Sequence, residues 1–149
     1  MKKYLSVIII SFFILNFSFG QRYKLSEIVD NLGDIKEKYK ISFLIEKIKT
    51  SDFSRMWTTF EELETEDVAS LNDFIDLFSE EFEKYSTSLV KESKLKSVAF
   101  VKNLKYAGEI VSYFPDAYGE TIFFNVEYGY YAKDYVRLII HGSFFGMVE

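Results

Sequence analysis

Residues 135–149 read Y-V-R-L-I-I-H-G-S-F-F-G-M-V-E. This mostly apolar stretch has the length of about four helical turns. Asp134 stands directly before it and is the expected N-cap, since a carboxylate there accepts hydrogen bonds from free backbone N–H groups. Gly142 and Gly146 are poor helix formers and together cost about 2 kcal/mol relative to alanine. One explanation for two glycines at this spacing is close packing, since a pair of small residues four positions apart lets another backbone approach the helix. A second explanation comes from a resemblance described below.

Two more helices are predicted upstream from apolar residues spaced three or four positions apart. The first covers 25–39 and is weakened at Gly33, and the second covers 71–85 and places its glutamates, including Glu81, on the solvent side. Both have the pattern of a helix that buries one face in a core. The apolar positions are Leu25, Ile28, Leu32, Ile35 and Tyr39 in the first helix, and Leu71, Phe74, Ile75, Phe78, Phe82 and Tyr85 in the second.

Four segments have the composition and alternation of β-strands. They are 41–45, 97–101, a short edge strand at 110–114 that ends at Pro115, and 121–128, which is the strongest of them. Proline favours an edge because it has no N–H group to donate to a neighbouring strand.

The order of these elements predicts an α/β (α+β) fold, in which a small mixed sheet has flanking helices. The polar interval 50–66 is predicted to be a loop, with room for a short helical turn, that Trp57 anchors to the core. No linker divides the rest of the chain, so 21–149 is expected to form a single domain.

Residues 1–20 have the features of a secretory signal peptide. Lysines at positions 2 and 3 precede a nearly uniformly apolar run at 4–17, and the small residues Ser18 and Gly20 lie before Gln21. The run is shorter than the roughly 20 residues that span a bilayer. We therefore expect cleavage after Gly20 and export to the periplasm or the extracellular medium.

Composition narrows the possible partners and the source of stability. Loss of the signal peptide removes two lysines, so the net charge changes from −5 to −7 (16 Lys and Arg against 23 Asp and Glu). An acidic domain of this kind is a poor candidate for binding nucleic acid. The chain has no cysteine, and 19% of its residues are aromatic, so packing of large side chains must hold the fold without disulfides.

The segment E-T-I-F-F-N-V-E at 120–127, together with 135–149, resembles secreted bacterial zinc metallopeptidases of the zincin type. In that family an edge strand precedes a helix close to Y-V-R-x-x-I-H-H-E-F-F-H-M-I-E. The resemblance implies a zincin-like domain over 21–149, truncated here because the family's third zinc ligand is expected further downstream. The matching residues are Tyr135, Val136, Arg137, Ile140, His141, Phe144, Phe145, Met147 and Glu149.

The chain departs from this family at the residues that carry its chemistry. Gly142 and Gly146 stand where the family has its two histidine ligands, and Ser143 stands where it has the glutamate that acts as general base. Glycine offers no ligand atom, and a serine hydroxyl does not take up a proton as a carboxylate does. His141 is one position from the lost ligand, and we expect it in a supporting or core role. We therefore expect no bound zinc and no peptidase activity.

Two other interpretations remain open. The chain could be a secreted module that binds a protein or peptide by adding a strand to an edge at 121–128, next to the tyrosines that follow. It could also be a gene remnant without function. A remnant is expected to expose Phe144, Phe145 and Met147 as an apolar patch.

Overall fold

The computed structural model describes residues 25–50, 52–126 and 132–148. The described chain is a mixed sheet flanked by helices, which confirms the α+β prediction. The helices are α1 (Leu25–Asp30), α2 (Gly33–Tyr39), α3 (Asp52–Trp57), α4 (Val68–Phe82), α5 (Thr87–Glu92) and α6 (Lys133–Val148), with a 3₁₀ turn at Thr65–Asp67. The strands are β1 (Ser42–Leu44), β2 (Thr58–Glu61), β3 (Ser97–Tyr106), β4 (Glu109–Ile110), β5 (Tyr113–Asp116) and β6 (Thr121–Asn125).

The main sheet has the strand order β1-β3-β6-β5. β1 and β6 are parallel to the central strand β3, with Val98 opposite Ile122, and β5 runs antiparallel to β6. The far half of β3 pairs antiparallel with β2 and β4. One end of β3 therefore belongs to a parallel sheet and the other to a small antiparallel one.

The alternation of the strands separates two cores. Val98, Phe100, Ile122 and Phe124 face the helices and belong to the larger core, which α1, α2, α4 and α6 complete. The intervening residues face the other side, where β2 and nearby loops cover them, as in the contact of Phe60 with Phe123 at 5.4 Å. The period of two along each strand supplies both faces at once.

Helix α4 confirms the predicted apolar stripe, because all of its members within the helix are buried. The phenyl ring of Phe78 lies at its centre, 4.9 Å from the ring of Phe82 and 5.6 Å from those of Phe100 and Phe124. The prediction for Glu81 was wrong, since its side chain is only 1% exposed. Helix α6 packs against α4 and widens the buried face beyond the stripe visible in the sequence.

Two further segments differ from the sequence expectation. The predicted helix at 25–39 is interrupted before Gly33 and forms α1 and α2, consistent with the low helix propensity of glycine. The predicted loop at 50–66 contains α3 and β2, because β3 is long enough to offer a partner to a strand of weak intrinsic pattern. Trp57 is 50% exposed and does not anchor this region to the core.

The position of the open edge also had to be corrected. The strand predicted at 121–128 is β6, and it lies between β3 and β5 with every residue buried, so it is not available for an added strand. Residues 127–131 lie outside the described chain. The edge strand predicted at 110–114 corresponds to β5, which does lie at the end of the described sheet, but Ile110 belongs to β4 and Pro115 lies within β5 instead of ending it.

Helix α6 begins at Lys133, so Asp134 is inside its first turn and is not its N-cap. The Asp134 carboxylate instead pairs with Arg137 one turn later, at 3.2 Å. Across the described residues, no helix combines the length and apolar character needed to cross a membrane.

Candidate functional site

The two glycines of α6 face the edge strand β5. A Cβ atom added to Gly142 would lie 3.0 Å from Cζ of Tyr113 and still closer to its hydroxyl oxygen. A Cβ atom added to Gly146 would lie 3.2 Å from Cβ of Pro115 and still closer to its Cγ. Carbon atoms normally approach no nearer than about 3.5 Å. Both glycines are therefore in tight contact with β5. The contact of Gly146 is with the stiff ring of Pro115, whereas that of Gly142 is with the far end of the Tyr113 side chain.

The spacing of the two glycines along α6 is close to the spacing of Tyr113 and Pro115 along β5. Four residues of helix rise about 6 Å, and two residues of strand advance about 6.8 Å. Tyr113 and Pro115 project to the same side of β5, opposite Phe124 and Ile122 of β6. Their side chains thus meet α6 at nearly the spacing of the glycines. A hydrogen bond between the hydroxyls of Ser112, which directly precedes β5, and Tyr135 adds a link near the start of the helix.

Ser143 lies on the inner side of α6, away from solvent. Its side chain is fully buried, and its hydroxyl donates a hydrogen bond of 2.6 Å to the carbonyl oxygen of Ile140. A serine bonded in this way within its own helix is neither placed nor activated as a nucleophile.

His141 is exposed at the surface, so a core role is wrong. Its Nδ1 is 3.4 Å from the hydroxyl oxygen of Tyr85, and the two rings are nearly parallel with their centres 6.3 Å apart. The pKa of Tyr85 is raised, first because its phenol is partly buried and second because Glu81 is negatively charged. His141 therefore packs on the rim of the α4–α6 contact.

The residues at the three motif positions do not fit a zinc ion. Gly142 and Gly146 have no ligand atoms, and the hydroxyl of Ser143 is engaged within the helix. In the part of the chain that the structure describes, no three side chains of His, Cys, Asp or Glu come together as a metal would require. Side chains of Tyr113 and Pro115 fill the space beside the glycines.

The apolar residues at the end of α6 are covered where the structure describes them. Phe144 and Met147 are buried, and the ring of Phe144 lies 4.9 Å from that of Tyr85 and 5.6 Å from that of Phe82. The exposure that a gene remnant was expected to show is therefore wrong for these two residues. The side chain of Phe145 lies outside the described part.

Charged residues at the α4–α6 contact were not recognised from the sequence. Glu80 forms an ion pair with Lys133, which lowers the pKa of Glu80 and raises that of Lys133 chiefly through their hydrogen bond. Glu81 binds Lys84 at 2.5 Å through one carboxylate oxygen, and its other oxygen has no hydrogen-bond partner among the described residues. The run of glutamates gave no sign that Glu81 would be buried while Glu80 is exposed.

Comparison with protein-family models, curated protein sequences and solved structures finds no match to this chain. The resemblance to zincin-type metallopeptidases therefore rests on the residues quoted above.

Proposed function

We propose that this chain is an exported, non-catalytic relative of zincin-type metallopeptidases. The observation that carries the proposal is the contact of Gly142 and Gly146 with β5. Tyr113 and Pro115 occupy the face of α6 from which the family's two histidines would project. A helix that once presented ligands to a cleft would here serve as a packing surface.

The strand order gives the proposal no support of its own. The resemblance puts an edge strand at 120–127 ahead of the helix, and the strand found there, β6, lies inside the described sheet. The support comes from the face of α6 that carries the motif positions, which lies against β5.

Metal content and proteolysis test the proposal directly. The exported protein would be purified without chelator, dialysed against equimolar zinc, and analysed for bound metal and for cleavage of casein. We expect far less than one zinc per chain and no cleavage. Stoichiometric zinc together with EDTA-sensitive cleavage would refute the proposal.

Restoring the motif tests whether β5 has closed the site. The triple variant Gly142→His, Ser143→Glu and Gly146→His should bind no zinc and should unfold more readily, because the new side chains meet Tyr113 and Pro115. Adding Tyr113→Ala and Pro115→Ala to that variant should recover stability. If the triple variant alone binds zinc tightly with wild-type stability, the closed-site argument is wrong.

Export is the second part of the proposal. Expression of the full chain with a C-terminal tag should place the protein outside the cytoplasm, and N-terminal sequencing should begin at Gln21. Full-length protein retained in the cytoplasm would contradict it.

A further inference from the structure

β5 has one side bonded to β6 and one side to which no described strand is bonded. The hydrogen-bond pattern shows which residues face each side. The Asn125 amide donates to the carbonyl of Ser112, and these residues are in register with the β5–β6 pair. In an antiparallel pair, hydrogen-bonded positions alternate with non-bonded ones. Phe114 and Asp116 therefore direct their backbone groups to β6.

The intervening residues, Tyr113 and Pro115, direct their backbone groups outward. The preceding outward position, Val111, is already occupied, since its N–H donates to Leu104 and its carbonyl accepts from the Asn125 side chain at 3.3 Å. Among the described residues, no backbone group pairs with the open side of β5, which thus offers two carbonyls and the Tyr113 N–H. The second N–H is missing because the residue there is proline.

We propose that Pro115 keeps this edge from pairing with the same edge of a second copy of the chain. Two β5 strands related by a two-fold axis through Phe114 would place Tyr113 of each copy opposite Pro115 of the other. Each such pair needs two N–H donors, and proline supplies none. Half of the hydrogen bonds are lost, and the two Tyr113 carbonyls face no donor. Unblocked edges of this kind pair readily.

The inference does not depend on the proposed function, since it concerns backbone groups and not the motif positions. It also explains why proline suits both sides of β5. Its ring fills the notch at Gly146, while its nitrogen removes a donor from the exposed side.

The test compares Pro115→Val with the wild-type chain by sedimentation equilibrium over a wide concentration range. Valine restores the N–H and favours a strand. We expect a monomeric wild type and self-association of the variant that is stronger by about tenfold or more. A folded Pro115→Val chain that associates no more than wild type would overturn the inference, as would a wild-type dimer paired through β5.

Gly146→Ala is the matched control, because it disturbs the same contact with Pro115 without adding a donor. It should stay monomeric, and equal association of both variants would show that loosening of the contact is the cause.

Hydrogen exchange in the wild-type protein tests the inference even if Pro115→Val does not fold. The amide of Tyr113 should exchange rapidly with deuterium, whereas that of Phe114 should be protected. Protection of the Tyr113 amide would contradict the outward orientation.

Discussion

At the scale of single residues, glycine at 142 and 146 can reflect either the loss of ligands or a need for space. The contacts with Tyr113 and Pro115 supply the second reason without excluding the first. If such a helix had lost two histidines, glycine would be retained only where another residue fills the space beside it. Otherwise alanine would be favoured, because its helix propensity is better than that of glycine by about 1 kcal/mol at each position. Here the side chains of Tyr113 and Pro115 fill that space.

Gly146→Ala is expected to destabilise the protein by about 1–3 kcal/mol, although alanine favours a helix, because the new methyl group overlaps the ring of Pro115. Urea unfolding followed by circular dichroism measures the change. Gly33→Ala is the control, since an added Cβ there meets nothing within 4 Å. It should be neutral or stabilising, and a stabilising Gly146→Ala would show that the contact yields easily.

At the scale of elements, α6 is held to α4 by aromatic rings at one end and by charge at the other. Phe144 packs against Phe82 near the end of α4, and Lys133 pairs with Glu80 at the start of α6. The pKa of Glu80 is lowered from its ordinary value of 4.5 by the hydrogen bond from Lys133. The ion pair therefore stabilises the folded state above that value and loses its effect as the pH falls below it.

Glu80→Gln should flatten the dependence of the unfolding free energy on pH below about 4.5. The change at neutral pH should be small and should weaken with salt, because the pair is exposed. Urea titrations from pH 7 to pH 3 test this. Glu83→Gln, an exposed change on the same turn, should retain the wild-type pH profile. Identical profiles for Glu80→Gln and wild type would show that the pair contributes nothing.

At the scale of the whole molecule, the helices and the sheet share one aromatic core. Phe78 belongs to α4, and its ring meets rings from β1, β3 and β6, including Phe43 at 6.1 Å and Phe100 at 5.6 Å. With no cysteine in the chain, no disulfide compensates for a loss of packing. Loss of the Phe78 ring should therefore weaken the packing of α4 against all three of these strands.

Phe78→Ala is expected to cost about 3–5 kcal/mol, since it opens a cavity where several elements meet. Leu138→Ala is the comparison on the surface of α6, where the side chain is 66% exposed, and it should change stability by less than about 0.5 kcal/mol. Thermal unfolding monitored by near-ultraviolet circular dichroism would report both. A loss below about 1 kcal/mol for Phe78→Ala would mean that the core repacks around the gap.

Patterns within a short stretch of sequence were sufficient to predict those elements that a regular spacing of apolar residues marks. The apolar stripe of α4 and the alternation at 121–125 are visible in the sequence because a regular period marks them. They failed at β2, whose residues have no strong alternation and become a strand by pairing with β3. They failed again at Glu81, which is buried in the folded chain although its neighbours in the sequence predict solvent exposure.

Periodicity and residue type alone were enough to predict a mixed sheet with flanking helices, and they left close packing and lost ligands as two explanations for Gly142 and Gly146. The sequence marked an edge strand next to Pro115, but it could not say that the strand at 121–125 is interior, what fills the space at the glycines, or which way Pro115 turns its nitrogen. Each of these depends on the order in which distant strands pair, because pairing partners are chosen by packing across the whole sheet. The interior position of β6 and the contact of β5 with α6 were decided at that level.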